Sequence, residues 1–129
     1  MLSSLTIRNF RSILDMTVSF AFAEKRAPAG FRDSDRVFFI EPAPKVRLVP
    51  TLALYGSNAS GKSNVLMALG AFRDCAVSGV QGKFRPDKLH PELRTTSFAA
   101  TIVRQGHRFV YAIEYDRDEF VKESLSADG

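Results

Sequence analysis

The chain has 129 residues, of which 45% are hydrophobic and 25% charged, and its net charge at pH 7 is +4. This ordinary composition predicts one soluble globular unit and gives no reason to invoke a second domain. No apolar run is long enough to span a bilayer, and residues 1–20 lack the apolar core of a signal peptide. We therefore expect a cytoplasmic protein with no membrane partner.

Two short runs near the start of the chain alternate apolar with polar residues. Leu5 and Ile7 belong to the first run, and Met16, Val18 and Phe20 belong to the second. This alternation predicts two β-strands, because successive side chains of a strand point to opposite faces of a sheet.

A long connection rich in charge and proline is predicted from Ala23 to Pro50, around one strand candidate at Val37–Ile40. Its basic residues are Lys25, Arg26, Arg32, Arg36, Lys45 and Arg47. Such a stretch is compatible with a nucleic-acid partner, and it is also typical of a solvated surface loop.

Residues 56–63, Gly-Ser-Asn-Ala-Ser-Gly-Lys-Ser, fit the phosphate-binding pattern G-x-x-x-x-G-K-[ST]. The apolar run Thr51–Tyr55 before them predicts a buried strand. The residues after them predict a helix that ends near Gly79, with an apolar face formed by Val65, Leu69, Phe72 and Ala76. Since both flanks agree, we predict a nucleotide-binding loop in preference to a plain glycine turn.

The chemistry of the pattern assigns a role to each part of this loop. Backbone N–H groups and the positive end of the following helix favour an anionic phosphate. Lys62 is the candidate catalytic residue, expected to reach the β- and γ-phosphates of ATP, and the Ser63 hydroxyl is the expected ligand of Mg²⁺. The predicted nucleotide-binding residues of the loop are Gly56, Ser57, Asn58, Ala59, Ser60, Gly61, Lys62, Ser63 and Asn64.

The remainder of the chain predicts a loop and then a β-hairpin. Ser97–Arg104 and His107–Asp116 are predicted strands joined at Gln105–Gly106, and Phe120–Leu125 predicts a third strand. The second of these runs ends in acidic residues, as a Walker B strand does, but its alternation fits an exposed hairpin strand better. Val77–Gln81 faintly resembles an ABC signature, although a glycine helix terminus explains it more simply.

Two segments together carry a resemblance to a known family. Residues 5–12, Leu-Thr-Ile-Arg-Asn-Phe-Arg-Ser, and residues 55–64 around the glycine-lysine motif resemble the amino end of ABC-type ATPases, including the RecF and structural-maintenance-of-chromosomes group. The chain is most similar to the AAA-type ATP-binding proteins of the overcoming-lysogenization-defect group of bacterial abortive infection. This likeness extends over nearly all residues.

The resemblance implies a mixed α/β fold, the amino-terminal lobe of an ABC-type P-loop ATPase with an antiparallel β-subdomain. Its parts would be residues 1–50 (β-subdomain and basic loop), 51–79 (strand, loop and helix) and 80–129 (loop and hairpin). It also implies that Arg11 approaches the nucleotide. The missing lobe, signature segment and catalytic acids would lie beyond Gly129, so this chain alone would bind ATP with negligible hydrolysis.

Three functions follow as expectations from this resemblance. The preferred one is an ATP-controlled switch that forms a homodimer or higher oligomer and governs an effector nuclease or toxin in phage defence. The first alternative is a RecF-like DNA-repair or chromosome-handling ATPase that closes on DNA. The second is a nucleotide-binding interaction module that does not hydrolyse ATP.

Overall fold

The computed structural model describes residues 1–21, 38–39 and 47–128. The elements in chain order are β1 (Leu2–Phe10), β2 (Ile13–Ser19), β3 (Phe38–Phe39), β4 (Arg47–Leu48), α1 (Lys62–Ser78), β5 (Thr96–Arg104), β6 (His107–Tyr115) and β7 (Phe120–Asp128). They confirm the two predicted amino-terminal strands, the helix and the three carboxyl-terminal strands. Within the predicted strand Val37–Ile40, the first and last residues lie outside the described residues. The basic residues Lys25, Arg26, Arg32, Arg36 and Lys45 also lie outside them.

Five strands form one antiparallel sheet in the order β2-β1-β5-β6-β7, and β3 pairs with β4 in a separate two-stranded ladder. The predicted hairpin between β5 and β6 is confirmed, with Gln105 and Gly106 alone in the turn. Both residues have positive φ angles, 51° and 77°. Two consecutive left-handed residues match the twist of the flanking strands, which is why an X-Gly pair favours this tight turn.

One face of the sheet is buried under α1. Leu5 lies opposite Ala100 and Ile7 opposite Phe98 in the β1–β5 register, and all four side chains are almost fully buried. The helix buries Val65, Ala68, Phe72 and Cys75 against this face. The predicted helix face is therefore correct at Val65 and Phe72, while Ala76 is exposed and Cys75 packs in the core.

Phe98 is at the centre of this core. Its ring centroid lies 5.7 Å from that of Phe10, 5.9 Å from that of Phe72 and 6.1 Å from that of Tyr115. These separations are within the range in which aromatic pairs attract one another beyond the effect of burial alone. The cluster joins strands β1, β5 and β6 to the middle of the helix.

The predicted fold class is wrong. An ABC-type P-loop ATPase lobe of α/β class has a parallel sheet and several helices, whereas residues 1–21, 38–39 and 47–128 contain an antiparallel five-stranded sheet and one helix. Antiparallel neighbours are joined by short hairpins, but a parallel pair needs a crossover of a dozen or more residues. The β1–β2, β5–β6 and β6–β7 pairs are all joined by short turns, and this connectivity builds an antiparallel sheet.

The buried strand predicted at Thr51–Tyr55 is also absent from this structure. These residues belong to no strand, and their side chains are exposed, to 91% in the case of Tyr55. A strand requires a neighbour that pairs with its backbone N–H and C=O groups. The apolar run therefore reaches the Gly56–Ser63 loop as an extended, exposed segment.

Candidate phosphate-binding site at the start of helix α1

The backbone of the Gly56–Ser63 loop turns through two left-handed residues. Ala59 has a φ of 63° and Gly61 a φ of 86°, with Ser60 between them. Alternation of backbone hand directs successive N–H groups into one concavity, which is a geometry that binds anions. Gly61 adopts its angle without the steric cost that a Cβ atom brings to this region.

Helix α1 starts directly after this turn and has no acidic group at its first turn. Gly61 is the N-cap residue, and no side chain caps the helix. Its carbonyl oxygen accepts hydrogen bonds from Asn64 N at 3.0 Å and from Val65 N at 3.3 Å. The N–H groups of Lys62 and Ser63 make no backbone hydrogen bond to another described residue. They lie at the positive end of the helix dipole, where an anion is stabilised.

Lys62 holds its ammonium group across the loop. Its Nζ donates hydrogen bonds to the carbonyl oxygens of Gly56 and Ser57, at 2.8 and 2.6 Å, and lies 3.2 Å from Ser60 Oγ. The side chain thus joins the two ends of the loop. The ammonium group of the predicted catalytic lysine therefore lies within the loop, against its carbonyl oxygens.

The turn between β1 and β2 contacts the first turns of α1. Asn64 Nδ2 donates a hydrogen bond to Ser12 Oγ at 2.6 Å, and an Nη atom of Arg11 contacts Met67 Sδ. The same Ser12 Oγ lies 3.8 Å from the position that a Cβ on Gly61 would occupy. The structure therefore brings Ser12 against Asn64, a predicted nucleotide-binding residue, and Arg11 against Met67, three residues further along the helix.

This turn is anchored from the opposite side by Asn9, which is buried and has a φ of 49°. Its Nδ2 donates to the carbonyl oxygens of Leu93 and Thr95, at 3.3 and 2.8 Å. Its Oδ1 accepts a hydrogen bond from Asp87 N at 2.9 Å. An amide with three partners in one loop fixes the direction of the chain at Asn9, and so the position of Arg11 and Ser12. Sequence patterning alone had no means of finding these contacts.

The carboxylate of Asp87 organises that loop. Its Oδ1 accepts a hydrogen bond from Leu89 N at 2.7 Å and lies 3.2 Å from His90 Nδ1. The Leu89 N–H, followed by the His90 ring, lowers the pKa of Asp87 below its ordinary value. His90 is thus half-buried beside a carboxylate.

The donor set at the loop fits Mg²⁺ only in combination with a phosphate. Ser63 is exposed on the first turn of α1 and presents a single hydroxyl. Among the residues that the structure describes, no three His, Cys, Asp or Glu side chains gather in a way that would hold a metal ion. Magnesium commonly keeps several waters and shares phosphate oxygens with one or two protein ligands, and such a site requires no acidic cluster.

Glu114 and Asp116, near the end of the predicted strand His107–Asp116 that was compared with a Walker B strand, have other partners. Glu114 accepts a hydrogen bond from Thr95 Oγ1 at 2.6 Å, and it alternates with Ile113 and Tyr115, which face α1. Asp116 accepts backbone hydrogen bonds from Asp118 and Glu119 at the β6–β7 turn, which lower its pKa. Glu114 therefore points away from the helix and Asp116 stabilises a turn, as the hairpin prediction required.

The signature-like segment at Val77–Gln81 is a helix terminus. Helix α1 ends at Ser78, and Gly79, with a φ of 85°, donates its N–H to Cys75 O at 3.0 Å. A glycine with a positive φ after the last helical residue lets its N–H satisfy a terminal carbonyl group. The simpler of the two sequence interpretations is confirmed.

In the part of the chain that the structure describes, no helix has the length and apolar character needed to cross a bilayer. No protein-family model matches this chain, and no curated protein matches it significantly.

Proposed function

We propose that this chain binds a nucleoside triphosphate together with Mg²⁺, with ATP as the first candidate, through the Gly56–Ser63 loop and the start of α1. One observation carries the proposal: a lysine ammonium lies across a loop of alternating hand at a helix start that has neither an acidic residue nor a side-chain cap. Each of these features favours a phosphate at the same point.

Backbone N–H groups from Gly61 to Ser63 would donate to phosphate oxygens, and Lys62 would exchange its carbonyl partners for the β- and γ-phosphates. The Ser63 hydroxyl would supply the protein ligand of Mg²⁺. When bound, the metal neutralises phosphate charge. Arg11, in the turn between β1 and β2, contacts Met67 of α1 and would supply a second cation near the start of that helix.

Binding without turnover is the activity expected of this chain. Phosphoryl transfer requires a positioned group that orients the attacking water, and Glu114 and Asp116 are engaged elsewhere. The sequence contains no guanine-reading N-K-x-D motif, which favours adenine or a site that does not discriminate between bases. The ATP-controlled switch of phage defence and the RecF-like DNA-handling role stay predictions from the family resemblance.

A fluorescent ATP analogue with Mg²⁺, titrated against the chain and competed with ATP and with GTP, tests the proposal. We expect saturable binding that Lys62→Ala weakens about 10-fold or more, because a charged hydrogen bond to phosphate is lost. Lys83→Ala is the matched control. Lys83 Nζ lies 3.7 Å from a carboxylate oxygen of Asp74, a residue in the second half of α1. Replacing Lys83 by alanine changes the net charge of the chain by the same amount as replacing Lys62.

Equal weakening by Lys62→Ala and Lys83→Ala would show that the analogue follows net charge and would overturn the proposed site. Absence of saturable binding by the folded wild-type chain would overturn the proposed function. Arg11→Ala separates the two cations. If Arg11 approaches the phosphates, its loss weakens binding while the circular dichroism spectrum stays unchanged.

A further inference from the structure

Strand β7 is an edge strand of the sheet, and its outer side is not paired within the described residues. Its register against β6 shifts once, because Tyr115 lies opposite Phe120 and Glu114 opposite Lys122. Val121 is therefore the extra residue of a β-bulge, which bends the strand at that point. After the bulge, the pairing is regular from Lys122 to Asp128.

This regular segment has an odd number of residues, so it can pair antiparallel with a copy of itself about its middle residue. Seven residues run from Lys122 to Asp128, with Leu125 at the centre and opposite charges at the two ends. Leu125 is 68% exposed and lies on the same face of the sheet as α1. The residues between are small, apart from Glu123, whose carboxylate already accepts a hydrogen bond from Tyr111 at 2.6 Å.

We propose that β7 pairs antiparallel with β7 of a second copy of this chain, in the register that places Leu125 opposite Leu125 of that copy. Directly opposed residues share a face, so the two leucines cover one another. Lys122 then lies opposite Asp128 of the second copy, twice by symmetry. The two five-stranded sheets become one continuous sheet across a twofold axis.

Charged residues of β6, the strand next to β7, add to the charge complementarity of the proposed pairing. Within one chain, Lys122 lies opposite Glu114 in the β6–β7 register, and Arg108 Nε lies 3.9 Å from an Asp128 carboxylate oxygen. Across the proposed interface these residues form a row of alternating sign, from Arg108 through Asp128 to Lys122 and Glu114 of the second copy. Opposite charges across adjacent strands stabilise the pairing, and like charges oppose it.

The other edge of the sheet lacks these features. In β2 the only charged residue is Asp15, which is held by Arg8 of β1 at 3.1 Å. Beyond β2, Phe20 accepts a backbone hydrogen bond from Val49 at 2.9 Å, and Ala21 bridges to Leu48. An antiparallel pairing of β2 with β2 of a second copy would therefore gain no ion pair. Residues 48–49 of the same chain also already lie beside the end of β2.

Light scattering coupled to size exclusion, repeated over a concentration series with and without Mg²⁺ and ATP, tests this interface. We expect a monomer–dimer equilibrium that does not depend on nucleotide. Lys122→Asp and Asp128→Lys each place like charges opposite one another, and each is expected to raise the dimer dissociation constant about 10-fold. The two single variants mixed in equal amounts restore both ion pairs, so the mixture dimerises at concentrations at which each variant alone is mostly monomeric.

Leu125→Lys places two like charges at the centre and is expected to abolish the dimer, while Met16→Lys on the β2 edge leaves it intact. A folded wild-type chain that is monomeric at every concentration overturns the proposal. A dimer that persists in both charge variants, or one that Met16→Lys removes, assigns the interface to another surface and overturns it equally. Dimerisation only in the presence of ATP also overturns the proposal.

Discussion

The antiparallel sheet and the segment before the glycine-lysine loop are both rich in apolar residues, yet they have opposite exposures. Leu5 and Ile7 are fully buried between α1 and their neighbours on the sheet, whereas Leu52 and Leu54 are about two-fifths exposed, at 40% and 42%. The difference between the two regions is whether a neighbouring strand pairs with the backbone. Each sheet strand has a neighbour that pairs with its backbone, while Thr51–Tyr55 has none in the part of the chain that is described.

This difference shows that an apolar run specifies burial only when the topology supplies a partner. The β1–β2 and β5–β6–β7 pairings are brought together by short turns, so their hydrogen bonds form between residues close in sequence. An apolar segment that is largely exposed gains less from the hydrophobic effect than a buried one and contributes less to the free energy of unfolding.

The largest effect is expected from Phe98→Ala, which removes the ring at the centre of the core. The free energy of unfolding should fall by about 3–5 kcal/mol, because three aromatic neighbours lose their partner and a cavity remains. Tyr55→Ala in the exposed segment should change it by no more than about 0.5 kcal/mol. Urea denaturation of both variants measures the contrast. Similar losses would show that the segment before the loop is packed after all.

A smaller loss is expected from Asn9→Ala, which removes the anchor of the β1–β2 turn. The free energy of unfolding should fall by about 2–3 kcal/mol, because buried groups lose their hydrogen bonds and alanine tolerates a φ of 49° poorly. The measurement is hydrogen exchange at the Asp87 amide, whose protection should be lost. Asn58→Ala, in the exposed loop, is the matched control and should leave that amide protected.

Gly61→Ala tests the left-handed turn at the helix start. A Cβ atom there would come no closer than 3.8 Å to Ser12 Oγ, so the expected loss of about 1–2 kcal/mol arises from the backbone φ of 86° alone. Gly70→Ala, in the middle of α1 where a Cβ meets nothing within 4 Å, should instead stabilise the chain by about 0.5–1 kcal/mol. Thermal denaturation distinguishes the two signs. Equal signs would refute the assigned turn.

The smallest effect concerns acid stability. Hydrogen bonds from Leu89 N–H and His90 lower the folded-state pKa of Asp87. The ionised carboxylate therefore contributes its full share to the free energy of unfolding at pH values above the ordinary aspartate pKa, near 4. That contribution is lost as the pH falls further, through the folded-state pKa. Asp87→Asn should therefore flatten the acid limb of the stability profile and leave the slope near neutral pH unchanged. An unaltered acid limb would contradict this assignment, and Asp15→Asn on the exposed β2 edge serves as control.

Local patterns predicted several elements because the relevant forces are local. Alternation identified β1 and β2, the Gln105–Gly106 pair identified the hairpin, and the helix after Gly61 followed from its periodicity. The loop residues were likewise recognisable, since the glycine-lysine pattern is contiguous in sequence. The role of Asn9 and the contact of Arg11 with Met67 were not, because their partners lie tens of residues away.

The sequence by itself determined which stretches favour strands and where α1 begins and ends. Backbone geometry, side-chain periodicity and turn preferences act over a few residues and leave a readable pattern. Tertiary structure decided that the sheet is antiparallel, that Cys75 instead of Ala76 faces the core, and that Thr51–Tyr55 stays exposed. Those outcomes depend on which distant segments meet, and the free energy of their packing is a property of the assembled chain.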